Sequence, residues 1–147
     1  MSLPQLPKAL VQRAVREALA EDLGLAGDLT TDATVAPDTT ADAAIVSRQR
    51  GVVAGLDLAE AAFAALDAGV VFKRLKLDGD AVVAGDAIAR ITGNARAILT
   101  GERVALNYLG RLSGIASLTR RYVDAISGTG AAIADTRKTT PGLRALE

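Results

Sequence analysis

Residues 100–128 constrain the chain more than any other stretch. Val104, Leu109, Leu112, Ile115 and Ala116, then Leu118, Tyr122, Val123 and Ile126, recur at helical spacing on more than one face. The pattern predicts one long helix that opens at Thr100, Gly101, Glu102 and Arg103 and ends at Gly128, Thr129 and Gly130. Thr100 is the expected N-cap, with Glu102 in the first turn at the positive end of the helix dipole. A helix with several apolar faces belongs between layers or at a subunit boundary. Gly110 and Gly114 lie four apart, as do Ser113 and Ser117, and close packing inside the fold is preferred for them over a dimer contact. An apolar run, Ala131-Ala132-Ile133-Ala134, follows as an expected strand. The polar cluster Asp135-Thr136-Arg137-Lys138-Thr139-Thr140-Pro141-Gly142 comes next.

The chain before residue 99 reads as a scaffold for this unit. Pro4 and Pro7 block an earlier helix start. Leu10, Val11, Ala14, Val15, Ala18 and Leu19 then predict a helix that Gly24 closes. Residues 24–32 are a loop by composition, and Pro37 and Asp38 extend the irregular region. Strands are expected at 43–46 and 51–54, a helix at 56–66, and another β region from Val70. Turn signals at 77–80 and 92–94 bracket short strands at Val82-Val83 and 87–91. Strands so closely spaced indicate a compact antiparallel sheet, and the class is α+β.

Composition excludes several functions. Lys+Arg and Asp+Glu both number 17, so the net charge is zero, and no block of like charge marks a nucleic acid or a membrane surface as partner. Two Phe, two Tyr and no Trp provide no base-stacking platform. With neither Cys nor His in the 147 residues, thiolate and imidazole chemistry are excluded in this chain. No secretory leader pattern or membrane-length apolar run is seen, and a soluble cytoplasmic protein is expected.

Thr136, Arg137 and Lys138 are the first candidate site. Adjacent cations flanked by hydroxyls, at the C-terminal end of an expected strand, suit a carboxylate or phosphate. A solvated turn is the alternative. Arg103, beside the helix N-terminal amides, is the second candidate for an anion, against a surface charge pair. Residues 77–89 resemble the hammerhead segment of biotinyl and lipoyl carrier domains. The hairpin lacks their lysine context, because Lys73 and Lys76 precede the first turn, and a turn-rich sheet is preferred. Glu21, Asp22 and Asp28 are too loosely arranged for a metal and are assigned capping and turn roles.

Residues 101–109, continued by Leu112-Ser113-Gly114-Ile115-Ala116, resemble the helix motif of the quinolinate phosphoribosyltransferases (nicotinate-nucleotide pyrophosphorylases, carboxylating). Residues 134–144 are similar to the motif at the start of that family's barrel, and residues 21–31 to its N-terminal signature. The resemblance implies an N-terminal α/β domain with an open-faced antiparallel sheet, a long linking helix over 1–128, and the first strand of an incomplete α/β barrel over 129–147. It implies formation of nicotinate mononucleotide from quinolinate and phosphoribosyl pyrophosphate, with loss of carbon dioxide and with Mg2+ aiding departure of pyrophosphate. Thr136, Arg137 and Lys138 would meet the substrate from the barrel, Lys138 as a catalytic residue. Arg103 would reach into the site of a partner subunit in a homodimer or higher homo-oligomer. No residue of this chain is expected to ligate the metal. A ModD-like phosphoribosyltransferase homologue and a non-catalytic dimerisation or binding module are the alternatives. The remaining barrel strands and family motifs are absent from these residues, which read as a piece of a longer chain or as a remnant. The isolated 147-residue chain is therefore expected to form no nicotinate mononucleotide, which a direct product assay checks.

Overall fold

A computed structural model describes residues 6–147. Helix α1 (Lys8–Leu23) starts after Pro7 and buries Val11, Val15 and Leu19, one stripe at four-residue spacing. The Pro4 reading lies outside the described residues. Gly24 ends α1 as expected. Residues 24–32 are not wholly a loop: Asp28 caps a short helix, α2 (Leu29–Thr34), by accepting a hydrogen bond from the Thr31 amide. Asp28-Leu29-Thr30-Thr31 contains the cap signal, in line with the capping or turn role expected of Asp28, and the short helix it starts replaces part of the expected loop.

The strands are β1 (Thr40–Val46), β2 (Gly51–Val52), β3 (Val71–Arg74), β4 (Ala81–Val82) and β5 (Ala87–Asn94). They divide between two antiparallel sheets rather than one, with orders β1-β5-β3 and β2-β4. In the larger sheet Ala43, Ile91 and Phe72 are in register and face the helices, while Ala44, Arg90 and Lys73 form the next row on the opposite, open face. The open-faced sheet is thus present. Helix α3 (Leu56–Leu66) matches its predicted bounds, and Leu56, Leu58, Ala59, Ala62 and Phe63 are buried. The Phe63 ring stacks on Phe72 at 5.9 Å, joining helix to sheet. The short β2 strand needs help from outside its sheet. Ser117 Oγ accepts from Val52 N at 2.8 Å, and Ser113 Oγ from Ala54 N at 3.0 Å.

Helix α4 (Ala95–Ala125) is 31 residues long, about 46 Å at the usual rise. Its cap lies six residues before the expected one. Its cap is Asn94, whose side chain accepts from Ala97 N at 3.1 Å. Thr100 and Glu102 therefore lie inside the helix, beyond its first turn. The multi-faced burial expected of α4 holds only in part. Its fully buried residues end at Leu112, while Leu118, Tyr122 and Val123 are exposed. Close packing at Gly110 and Gly114 is also not found. A Cβ at either would meet nothing within 4 Å, and both line an open apolar groove of about 1130 Å³ between α4 and β1. Residues 131–134 form no strand: they are exposed and pair with no strand among the described residues. Without a neighbour, their backbone groups have no ladder to join. Among the described residues, no helix is long and apolar enough to cross a membrane.

The close contact on α4 is at Gly101, where an added Cβ would lie 2.9 Å from Phe63 Cδ1 and 3.2 Å from Leu66 Cδ1. Gly101→Ala is expected to destabilise the chain by about 1–3 kcal/mol through overpacking, despite better helix propensity. Gly110→Ala, with open space around it, is expected to stabilise it by roughly 0.5–1 kcal/mol. Paired urea denaturation curves check the opposite signs.

Candidate functional site

The two candidate cation groups occupy different parts of the chain. Arg103 stands two turns inside α4, so the exposed amides of the helix start are not beside it. It binds carboxylates instead. Its Nε donates to both Asp22 oxygens, at 3.0 and 3.2 Å, and its Nη2 lies 3.8 Å from Asp28 Oδ2. The Asp22 bond raises the Arg103 pKa above its ordinary value, and the negative charges of Asp22 and then Asp28 add to this. Arg103 is a permanent cation, and its side chain stays 54% exposed.

Asp28 ties the neighbourhood together. It accepts from Thr31 N at 3.1 Å, Thr31 Oγ1 at 2.8 Å and Thr100 Oγ1 at 3.2 Å. Its pKa is lowered from the ordinary 3.8, chiefly by the Thr31 amide and hydroxyl, with Thr100 and Arg103 adding to this against the opposing effect of burial. The capping role assigned to Asp28 is confirmed, and Asp22 gains a definite partner. Nearby, the Tyr108 hydroxyl donates to Ala14 O at 3.0 Å and fastens α4 to α1. Burial, then Glu17 and Glu21, raise the Tyr108 pKa.

Thr136, Arg137 and Lys138 are exposed. Thr136 Oγ1 accepts from Lys138 N at 2.9 Å, and Arg137 O accepts from Arg144 Nη2 at 3.3 Å. Neither the Arg137 nor the Lys138 side chain forms an ion pair among the described residues. No hydrogen bond or ion pair joins Arg103 to this group. The segment is fixed from behind. Arg111 Nε donates to Glu147 Oε1 at 2.7 Å, its Nη2 bonds Thr140 Oγ1, and Glu147 Oε2 accepts from Thr140 N at 3.0 Å. The Thr140 amide and Arg111 hold the Glu147 carboxyl below its usual range.

The acidic rhythm of residues 77–89 has a structural use. Asp80 and Asp86 accept from the amides of Leu77 and Val83, three residues earlier, and Asp78 accepts from Leu56 N. Lys76 pairs with Asp86 at 3.4 Å. These are turn-forming carboxylates, in keeping with the turn-rich sheet and not with a carrier hairpin. Among the described residues, no three His, Cys, Asp or Glu side chains gather as a metal site. Mg2+ asks for several oxygen ligands in an octahedron. Asp22 is instead bonded to Arg103, and Asp28 to Thr31 and Thr100, so the described residues do not fit that ion.

Fold and site together define an α+β domain with a one-sided antiparallel sheet, joined by one continuous helix to a segment bearing free cations. The family model described as quinolinate phosphoribosyl transferase, N-terminal domain, matches residues 28–113, and the corresponding C-terminal domain model matches residues 115–147. The chain belongs to the quinolinate phosphoribosyltransferase family. It is 43% identical to a probable nicotinate-nucleotide pyrophosphorylase [carboxylating] of Synechocystis sp., over 96% of this chain and 47% of that protein. It is 40% identical to the chloroplastic nicotinate-nucleotide pyrophosphorylase [carboxylating] of Arabidopsis thaliana, over 98% of this chain and 41% of that one. The crystal structure of NadC from Streptococcus pyogenes superposes with a TM-score of 0.93 at 38% identity, covering 98% of this chain and 51% of the other. The chain thus spans about half the length of the curated relatives it matches.

The lowered Asp28 pKa has a definite consequence for stability. The stabilisation is fully present above the ordinary value of 3.8 and is lost as pH falls through the lower folded value. The melting-temperature gap between the unsubstituted chain and Asp28→Asn is expected to be constant near neutrality and to close below about pH 4. Thermal scans across that range check it.

Proposed function

We propose that this chain supplies the N-terminal half, and the first cationic segment of the second half, of a quinolinate phosphoribosyltransferase (decarboxylating). The reaction joins quinolinate to phosphoribosyl pyrophosphate and gives nicotinate mononucleotide in NAD biosynthesis. The observation that carries the proposal is the set of exposed, unpaired cations at Arg137 and Lys138, within the matched family segment and beside the hydroxyl of Thr136.

Quinolinate is a dianion, and two carboxylates call for several cations at fixed angles. Arg137 offers a planar fork and Lys138 a compact charge, with Thr136 as a neutral donor. Lys138 is the residue we place at the reacting centre, where a cation stabilises charge that develops as carbon dioxide leaves. Arg103 contributes from a second copy of the chain, which would explain why one copy does not bring it to the other three. Fixing the pyridine nitrogen near the sugar carbon supplies proximity. Phosphoribosyl pyrophosphate and Mg2+ are held by residues outside these 147. Association with a second copy is part of this reading. The absence of cysteine suits a reducing compartment such as the cytoplasm.

Titration calorimetry of quinolinate into the chain, with its oligomeric state set by light scattering, tests the proposal. Weak saturable binding is expected, and Arg137→Ala should weaken it by roughly tenfold or more, the scale of one lost charge-assisted bond. A folded sample that gives no heat would show that this half holds no substrate contact of its own.

A further inference from the structure

Three helices converge on Arg103. Asp22 comes from the end of α1, Asp28 is the cap of α2, and Arg103 projects from α4. Thr100, three residues earlier and therefore on the same side of α4, reaches the same Asp28 oxygen that lies near Arg103. Exposed ion pairs ordinarily contribute little, because two flexible side chains must be ordered to form them. Here one acceptor is ordered beforehand, since the Asp28 side chain is 9% exposed and bonded to Thr31. The other, Asp22, has a side chain 23% exposed and gives both its oxygens to Arg103. Arg103 Nη1 donates no hydrogen bond among the described residues. The guanidinium is a rigid plane with five donors. It is bonded at Nε, faces the Asp28 carboxylate at 3.8 Å with Nη2, and is left open at Nη1.

We infer that Asp22 and Asp28 are positioning residues for Arg103. They hold its guanidinium so that the Nη1 side meets a substrate carboxylate in one orientation, and neither touches the substrate. The inference rests on the proposed contact between Arg103 and quinolinate. Asp22 acts on Arg103 alone, through both oxygens at Nε, whereas Asp28 also caps α2. Asp22 is therefore the position at which orientation can be separated from folding.

The experiment is side-chain NMR of the 147-residue chain at Arg103 Nε–Hε, with quinolinate as the probe. In the unsubstituted chain the Nε–H vector is expected to be ordered and its proton slow to exchange with water. In Asp22→Asn the proton should exchange about tenfold faster or more, the scale of a lost bond to a charged group. Backbone amide protection in α4 should stay near that of the parent. Asp22→Glu should recover part of the order. Quinolinate should shift the Arg103 resonance in the parent, and shift it less at equal concentration in Asp22→Asn. An Arg103 that is mobile in the parent, or equally ordered in Asp22→Asn, overturns the positioning role. An ordered Arg103 that ignores quinolinate overturns the substrate contact, and its order in the absence of quinolinate tells that failure from the first.

Discussion

The structure depends on the junction at Asn94, where the central strand of the sheet passes directly into the long helix. Strand β5 ends at Asn94 and α4 begins at Ala95, with no loop between them. A loop would leave the helix axis free to vary; a direct junction sets it from the strand. The side chain of Asn94 serves both sides of the joint. Its Oδ1 accepts from Ala97 N, and its Nδ2 donates to Pro37 O at 2.6 Å. Ala95 N donates to Thr39 O at 2.8 Å, and Arg96 bonds Val35 O and Asp32. The segment from α2 to β1 is thereby fastened to the start of α4, and this is also the segment that positions Asp28.

From that joint the placement of the charged residues follows by helical geometry. Gly101 faces α3 with no side chain to hold the two helices apart. Arg103, two residues on, is turned by about 200° from it, away from that contact and toward the ends of α1 and α2. Arg111 is eight residues further, about 12 Å along the axis, where it fastens the segment containing Thr140 and Glu147. One rigid rod thus sets both the first cation and the anchor of the second group. Small errors in how α4 packs on α3 would move both together.

Much of this was legible in the sequence because it is periodic or punctuated. The stripe of Val11, Val15 and Leu19 and the α3 pattern between Gly55 and Asp67 are local signals, and those helices formed where they pointed; the turn expected at 92–94 did not, because Thr92, Gly93 and Asn94 continue β5 and pair with Asp42, Ala41 and Thr40 of β1. The start of α4 was misread because Thr100 is a good capping residue chemically. Asn94 is equally good, and only its position at the end of a paired strand decides between them. The hydroxyl of Thr100 is used instead by Asp28, 72 positions away, a contact that no spacing rule reveals. The same holds for Asp22 with Arg103, 81 positions apart. The cation motifs were visible as motifs, and Asp22 and Asp28 as capping or turn residues; the approach of these two carboxylates to Arg103 was not. The apolar run at 131–134 had a strand composition, but composition cannot supply the neighbour that a strand requires.

The surface left over has the same logic. The residues of α4 beyond Leu112 show Leu118, Tyr122 and Val123 to solvent, and Leu99 and Leu106 line the groove beside β1. Isolated apolar side chains on a surface need no explanation, but a contiguous groove of this kind is a place where another surface can lose water. Ser117 Oγ is bonded to Val52 and Ser113 Oγ to Ala54, and Gly110 and Gly114 leave the α4 wall of the groove bare of side chains there. Arg103 is neutralised in part by Asp22 and Asp28 and can approach an apolar boundary at a lower desolvation cost than a bare guanidinium. A guanidinium already bonded at Nε has less conformational freedom left to lose when an anion meets it.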